Sequence, residues 1–312
     1  MKRLQYIILL LLFSMGFPLP SVADESGPDQ IFVFGDSLSD VGNGAIATGA
    51  PFPAPFFNNR VSNGPVALDV MAAEFGLTLT PSLAGGNNYA VAGARAGGMA
   101  MVDLGFQLQS FIATHPAGAP TDALYVIMIG GNDVRDARDE FSPVAAAEML
   151  RNGVNGIAGA LQTLIDYGAR NIMVVNAPDL GNIPETRMIA AELGDWFKTA
   201  ATWKSVRFNA QLYWKVRQIE WRNRMHIKQF NLFGTTNEFL QDAETYQFSN
   251  TTDACFNPYV EPFVFHPVCD FNTFAFFDPI HPTAKLHALV GMRMAEKVEH
   301  KKHGQRYYAL NH

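Results

Sequence analysis

The sequence is poor in charged residues, and it lacks the basic excess and the repeats that several classes of protein need. Charged side chains make up 17% of the 312 residues, and 29 acidic residues against 23 basic ones give a formal net charge of −6. Nucleic-acid binding requires a clustered basic surface, so this balance argues against a nucleic-acid partner. Internal repeats and low-complexity linkers are also missing from the sequence, which favours a single domain.

Only two cysteines are present, Cys255 and Cys269. They lack a C-x-x-C pair and paired histidines nearby, which argues against a zinc site. A disulfide between them would close a short loop, and closing a loop of this length stabilises a fold by about 3 kcal/mol in the chain-entropy model. We predict this disulfide, and two buried free thiols are the alternative.

Long apolar runs are missing from the sequence except near its start. Two basic residues precede the apolar segment 6–13, and small residues at 21–23 follow it, which is the pattern of a cleaved signal peptide. We therefore predict a signal peptide over 1–23 and a single domain over 24–312, with an uncleaved anchor as the alternative. No later segment offers the roughly 18 consecutive apolar residues of a membrane span.

Short apolar runs alternate along the chain with longer segments of helical pattern. This alternation is typical of βαβ units and predicts an α/β protein with three layers, α/β/α, around a central, mostly parallel sheet. The predicted strands lie in 31–34, 123–129, 171–176 and 225–233, and the predicted helices lie around 64–76, 143–167, 202–224 and 283–299.

Conspicuous polar motifs follow the carboxyl ends of the first three predicted strands. They read "FGDSLSDVGN" at 34–43, "GGND" at 130–133 and "NAPDLGNIP" at 176–184. Ligand sites of open α/β sheets lie at this edge. We therefore expect the functional site there.

Ser37 in the first motif is a candidate nucleophile. A serine hydroxyl needs a base within hydrogen-bond reach, usually a histidine oriented by a carboxylate. Asp278 and His281, three residues apart in "DPIHP", could form such a pair on one face of a turn, although Asp278 could instead cap the following helix. The G-x-S-x-G elbow of the common α/β-hydrolases is missing, because position 39 is Ser.

Four blocks in order carry a resemblance to a known family. They are "FGDSLSDVGN", "NYAVAGA" at 88–94, "GGND" and "DPIHP". With these blocks the chain resembles the GDSL lipases and esterases, also called SGNH hydrolases, from about residue 31 to 296. The resemblance implies their flavodoxin-like three-layer fold and an ester hydrolase that needs neither a metal nor an organic cofactor.

The resemblance also implies a role for individual residues. Ser37 corresponds to the nucleophile, and Asp278 and His281 to the family's acid and base. The backbone N–H groups of Ser37 and Gly93 and the side-chain amide of Asn132 correspond to the three donors of an oxyanion hole. One departure from the pattern is the residue before Gly93, which is Ala where many members have a second Gly.

The substrate expected from the resemblance is a lipid ester. The long first block, the signal peptide and the cysteine-bracketed loop resemble the secreted bacterial branch of phospholipases, lysophospholipases and glycerophospholipid:cholesterol acyltransferases. This implies a lysophospholipid or phospholipid substrate, with a sterol as an additional acyl acceptor, and a monomer in the periplasm or outside a Gram-negative cell. Two alternatives stay open: an esterase of small or carbohydrate esters, and a non-catalytic secreted binding protein.

Several further segments have a structural or a functional interpretation. The aromatic loops 51–57 and 256–265 could touch acyl chains or a membrane or micelle surface, and ordinary packing over the sheet is the alternative. We interpret the acidic and basic residues of 133–139 as a solvated helix face, and the aromatic residues of 202–221 as core. Asp36, Asp40 and Asn43 are expected to brace the nucleophile turn.

Overall fold

The computed structural model describes residues 27–260 and 263–299, so the predicted signal peptide lies outside the described residues. The strands are β1 (Ile31–Gly35), β2 (Leu124–Met128), β3 (Asn171–Val175), β4 (Lys228–Phe230), β5 (Asn250–Ala254), β6 (Phe256–Asn257), β7 (Val264–Phe265) and β8 (Phe274–Phe276). The α-helices are α1 (Asn43–Thr48), α2 (Ala67–Glu74), α3 (Leu104–Thr114), α4 (Gly131–Asp139), α5 (Pro143–Asp166), α6 (Pro184–Leu193), α7 (Trp196–Asn223), α8 (Leu232–Gln241) and α9 (Ala284–Glu299).

The central sheet is parallel, with the strand order β1-β2-β3-β4. Along the free edge of β1 runs segment 87–91, which exchanges backbone hydrogen bonds with the strand. The N–H of Val33 donates to the carbonyl of Asn87 at 3.1 Å, and the N–H of Tyr89 donates to the carbonyl of Val33 at 2.7 Å. Therefore β1 has partners on both sides, and its carboxyl end lies in the interior of the sheet edge.

Helices cover both faces of this sheet. On one side α2 and α8 pack against α9, and on the other α3 and α7 pack against α5. Strands β1 and β2 are buried at every position, because a parallel sheet covered on both faces has no solvent side. The predicted three-layer α/β/α fold with a parallel sheet is confirmed.

Helix α7 differs from the sequence prediction. It begins at Trp196 rather than near residue 202, and its inward face consists mainly of small and aliphatic residues, with Phe197, Phe208 and the buried Glu220. Its tryptophans point into solvent, with Trp221 82% exposed. The interpretation of the aromatic residues of 202–221 as core was right for Phe208 and wrong for the tryptophans and Tyr213, since the aliphatic positions of the same helix already fill the contact with α5.

The predicted disulfide is present between Cys255 and Cys269, with the Cα atoms 4.9 Å apart. It brackets the antiparallel pair β6–β7. The N–H of Cys255 donates to the carbonyl of Phe276 at 3.1 Å, which fixes one end of the bracketed loop next to the segment that leads into "DPIHP".

None of the described helices combines the length and the apolarity that a bilayer span requires.

Candidate active site

Ser37 lies in a tight turn directly after β1. The carbonyl of Asp36 accepts the N–H groups of Ser39 and Asp40, each at 3.0 Å. The Oδ1 atom of Asp36 accepts the N–H of Leu38 at 3.1 Å. These bonds reverse the chain within a few residues and leave the Ser37 side chain at the carboxyl edge of the sheet, where it lines a cavity.

A chain of hydrogen bonds joins Ser37, His281 and Asp278. The Oγ atom of Ser37 is 2.8 Å from Nε2 of His281, and Nδ1 of His281 is 2.9 and 2.8 Å from the two carboxylate oxygens of Asp278. A proton on Nδ1 shared with this carboxylate leaves the Nε2 lone pair directed at the hydroxyl. This arrangement can take the proton from a serine as its oxygen attacks a carbonyl carbon.

Asp278 is held by backbone donors of its own loop. Its Oδ1 atom accepts the N–H groups of Ile280 and His281, each at 2.7 Å, and the residue is 1% exposed. Helix α9 begins later, where Asn63 Oδ1 accepts the N–H of Ala284 at 2.9 Å. The alternative interpretation of Asp278 as the helix cap is therefore wrong, because another side chain satisfies the start of the helix.

Asp40 connects the nucleophile turn to the segment that contains Gly93. Its Oδ1 atom accepts the N–H groups of Gly42 and Asn43 at 2.7 Å, and its Oδ2 atom accepts the N–H groups of Gly44 and Ala92 at 2.8 Å. The carboxyl is fully buried. One side chain thus satisfies four backbone donors and braces the loop, as does Asn43, whose amide donates to the carbonyls of residues 88 and 90.

Gly93 and Asn132 provide donors close to the nucleophile turn. Gly93 has φ 83°, a conformation that favours glycine, and among the described residues its N–H has no acceptor. The Nδ2 atom of Asn132 donates one proton to the carbonyl of Ala94 at 2.9 Å, which leaves its second N–H uncommitted. Asn132 lines the same cavity as Ser37, and its bond to Ala94 ties it to the Gly93 segment.

Helix α4 is anchored by a buried carboxylate rather than solvated. Asp133 is 5% exposed, and its two oxygens accept the N–H groups of Ala96 and Gly97 at 2.8 Å. Arg138 is also buried and donates to Thr186 Oγ1 at 2.8 Å. The interpretation of 133–139 as a solvated face was therefore wrong for these two residues, because Asp133 in the first turn of α4 points at the loop 96–97 and Arg138 in its last turn points at α6. Asp139 is exposed, as predicted.

Burial shifts the protonation of two groups beside the cavity. Desolvation raises the pKa of Asp36 to about 6, and it lowers the pKa of His287 to about 3. The Nδ1 atom of His287 accepts the N–H of Ala67 at 3.1 Å, whereas its buried Nε2 atom has no hydrogen-bond partner among the described residues. His287 is thus held neutral in the wall of the cavity.

The cavity runs from Ser37 between α8, α9 and the loop after β3. Asp179, in that loop, accepts hydrogen bonds from Asn182, Thr202 and Asn237 at 3.1, 2.7 and 3.2 Å, so the polar groups of this wall are occupied by one another. The remaining surface beyond the nucleophile is mainly aliphatic. Its aliphatic lining residues include Leu38, Met128, Leu180, Ile183, Leu232, Leu240, Leu286 and Val290.

An ion-pair cluster that was not predicted from the sequence lies at the rim of the cavity. The Nε atom of Arg135 donates to Glu185 at 2.8 Å, Arg138 reaches the same carboxylate at 2.8 Å, and the N–H of Glu185 donates to the carbonyl of Pro279 at 2.8 Å. Burial raises the pKa of Glu185, but the two arginines outweigh it and the net shift is downward. The spacing of Asn132 and Arg135 places both on one helix face, but nothing local links them to Glu185.

The family follows from this geometry together with a match to a family model. The model described as GDSL-like Lipase/Acylhydrolase matches residues 31–294. The chain belongs to this family. The GDSL family model identifies the chain as an ester hydrolase, and the predicted relationship is confirmed.

Curated relatives of this GDSL hydrolase include bacterial and plant proteins. Lipase 1 of Photorhabdus luminescens is 29% identical over 55% of the chain, and phosphatidylcholine-sterol acyltransferase of Aeromonas hydrophila is 28% identical over 73%. Thermolabile hemolysin of Vibrio parahaemolyticus is 27% identical over 86% of the chain. The match spans 25%, 65% and 64% of these relatives' own lengths.

Solved structures also match the GDSL hydrolase. A lipolytic G-D-S-L protein of Veillonella parvula covers 86% of the chain and 96% of its own, with a TM-score of 0.45 and 13% identity. An extracellular lipase of Streptomyces rimosus covers 85% of the chain and 99% of its own, with a TM-score of 0.43 and 17% identity.

Proposed function

We propose that this protein is an exported serine hydrolase that releases fatty acid from lysophospholipids or related lipid esters. The observation that carries the proposal is the unbroken chain from Ser37 Oγ through His281 to Asp278 at the mouth of an apolar cavity. The predicted signal peptide over 1–23 supports export to the periplasm or the medium.

The reaction proceeds in two halves. Ser37 Oγ attacks the ester carbonyl carbon while His281 Nε2 takes the hydroxyl proton, and the carboxylate of Asp278 stabilises the imidazolium. The tetrahedral oxyanion accepts hydrogen bonds from the N–H groups of Ser37 and Gly93 and from Asn132 Nδ2. His281 then gives its proton to the leaving alcohol, and an acyl-serine remains.

Water completes the hydrolysis. His281 takes a proton from a water molecule as that water attacks the acyl-serine, and the collapse of the second tetrahedral intermediate frees the fatty acid and restores the Ser37 hydroxyl. An alcohol in the place of this water yields a new ester, so a sterol that reached the acyl-serine would be acylated. The Aeromonas relative is a phosphatidylcholine-sterol acyltransferase, which supports acyl transfer to a sterol as a second reaction.

The composition of the cavity wall favours an acyl chain over a sugar as the group that binds there. A sugar ring needs several unoccupied hydrogen-bond partners, whereas Asp179 and its neighbours bond one another and the rest of the wall is largely aliphatic. In the cysteine-bracketed loop, Val264 and Phe265 are about half exposed, which supports the proposed contact of 256–265 with lipid. In the loop 51–57, Phe56 packs against Phe277, which favours ordinary packing there.

The test compares the wild-type protein with Ser37→Ala and with a matched control, Ser39→Ala. Ser39 lies in the same turn, and its buried Oγ makes no hydrogen bond among the described residues, so its removal should spare activity. Substrates are lysophosphatidylcholine, diacyl phosphatidylcholine and a short-chain aryl ester, each with and without cholesterol.

We expect fatty acid release from lysophosphatidylcholine by the wild type and by Ser39→Ala, and none by Ser37→Ala. Cholesteryl ester in the products would establish transfer. Turnover of the short ester alone would favour the small-ester alternative. Activity that persists in a folded Ser37→Ala protein would refute the catalytic assignment and revive the non-catalytic alternative.

A further inference from the structure

All four tryptophans of the chain lie on helix α7, and all four face solvent. Trp196, Trp203, Trp214 and Trp221 are 56%, 67%, 66% and 82% exposed. Tryptophan is normally well covered in a folded protein, and indole carries a large apolar surface with a single polar N–H. A row of exposed tryptophans therefore indicates an interaction surface, which is covered when the protein binds its partner.

The spacing of these residues places them on one line. Successive tryptophans are separated by 7, 11 and 7 positions, which correspond to about two and three turns of a helix with 3.6 residues per turn. The four side chains thus form a straight ridge along α7, about 37 Å long at 1.5 Å per residue. We call this ridge, residues 196, 203, 214 and 221, the tryptophan stripe.

The stripe lies in a basic setting within an acidic protein. Residues 196–224 contain seven Lys and Arg side chains and a single acidic one, Glu220, which is buried and paired with Arg217 at 2.7 Å. Arg207 and Arg222 are exposed, and within residues 27–260 and 263–299 neither forms an ion pair. The helix is thus basic, although the whole chain has a net charge of −6.

We propose that the tryptophan stripe docks the protein onto the surface of an anionic lipid bilayer. Indole rings settle at the boundary between headgroups and acyl chains, and Lys and Arg beside them attract anionic headgroups. The inner face of α7 is already buried on the protein body, so the helix can lie flat in the interface without unfolding. A second copy is a poor occupant, because a symmetric pairing would set two basic stripes against each other.

The stripe can be tested by its own fluorescence. Because the chain has no other tryptophan, the intrinsic emission reports on this surface alone. We would titrate the purified protein with vesicles of phosphatidylcholine, of phosphatidylcholine with phosphatidylglycerol, and of the same mixture with bromine atoms on the acyl chains. The variant is Arg207→Glu/Arg222→Glu, and the matched control is Lys297→Glu, an exposed lysine on α9 in the opposite helix layer.

With anionic vesicles we expect a blue shift of the emission and quenching by the bromine atoms. The double variant should lose at least tenfold in vesicle affinity and keep its rate on a soluble short-chain ester, and Lys297→Glu should bind like the wild type. An emission spectrum unchanged by anionic vesicles would overturn the proposal, as would equal binding by the double variant. A blue shift that grows with protein concentration without lipid, together with dimers in sedimentation, would instead make the stripe a self-association surface.

Discussion

His287 should give the fold a measurable sensitivity to acid. Its ring is 2% exposed, its Nδ1 atom accepts the N–H of Ala67, and burial lowers its pKa from 6.5 to about 3. Above pH 6.5 the ring is neutral in both the folded and the unfolded chain. Below pH 6.5 only the unfolded chain binds the proton, so the free energy of unfolding falls as the pH is lowered toward 3.

The magnitude follows from the two pKa values. Each pH unit between them changes the free energy of unfolding by about 1.4 kcal/mol, which amounts to about 2 kcal/mol between pH 7 and pH 5. In the variant His287→Asn, the Asn Oδ1 atom can still accept the N–H of Ala67, but the titrating ring is gone. The variant should be less stable at pH 7, because the smaller Asn side chain leaves a void. Its free energy of unfolding should nevertheless fall by about 2 kcal/mol less than that of the wild type between pH 7 and pH 5.

Urea denaturation with the disulfide intact, at pH 5, 6, 7, 8 and 9, measures the difference between wild type and variant. Burial raises the pKa of Asp36 to about 6, so the folded chain binds this proton more tightly than the unfolded chain. Asp36 therefore makes the free energy of unfolding rise as the pH is lowered, opposite to the effect of His287. This contribution is common to both proteins and cancels in the difference. Parallel pH dependences of the two proteins from pH 7 to pH 5 would refute the argument that His287 stays neutral when folded.

Three further predictions concern the proposed catalytic groups and the disulfide. Asp278→Asn should lower kcat on a soluble ester by about 10⁴ with little change in KM, because the wrong tautomer of the histidine is favoured; a loss below tenfold would contradict this. Asn132→Ala should lower kcat by 10² to 10³, roughly, since one oxyanion donor is lost; a change confined to KM would count against the role. Cys255→Ser/Cys269→Ser should lower the free energy of unfolding by about 3 kcal/mol in urea denaturation, and an unchanged midpoint would argue that the loop is ordered without the bond.

The sequence allowed much of the candidate site to be predicted, because its parts sit in short local motifs. The turn at Ser37 follows a buried strand, and the three-residue spacing of Asp278 and His281 already places both side chains in one loop. Parallel strands bring such motifs to a common edge whatever the details of packing. The Ser37–His281 contact nevertheless joins residues far apart in the chain, and from the sequence alone its prediction rests on the family resemblance.

Other features depended on packing that no local pattern encodes. Asp133 and Arg138 carry charges, which favour exposure in any helix, but a loop and helix α6 from elsewhere in the chain supply their partners and bury them. The Arg135–Glu185 pair joins two helices that the sequence does not link. Burial of His287 likewise depends on α2, which offers the N–H of Ala67.

The sequence by itself determined the layers of the fold, the disulfide partners and the motifs at the sheet edge, since periodicity, composition and short spacings are properties of the local chain. The tertiary structure alone decided which faces are covered. Helix α7 shows the difference: its sequence carries both an aliphatic and an aromatic stripe, and either could have been core. The aliphatic stripe packs against α5, and the tryptophans are left in solvent because a helix on the outer layer of the sheet has only one face to bury.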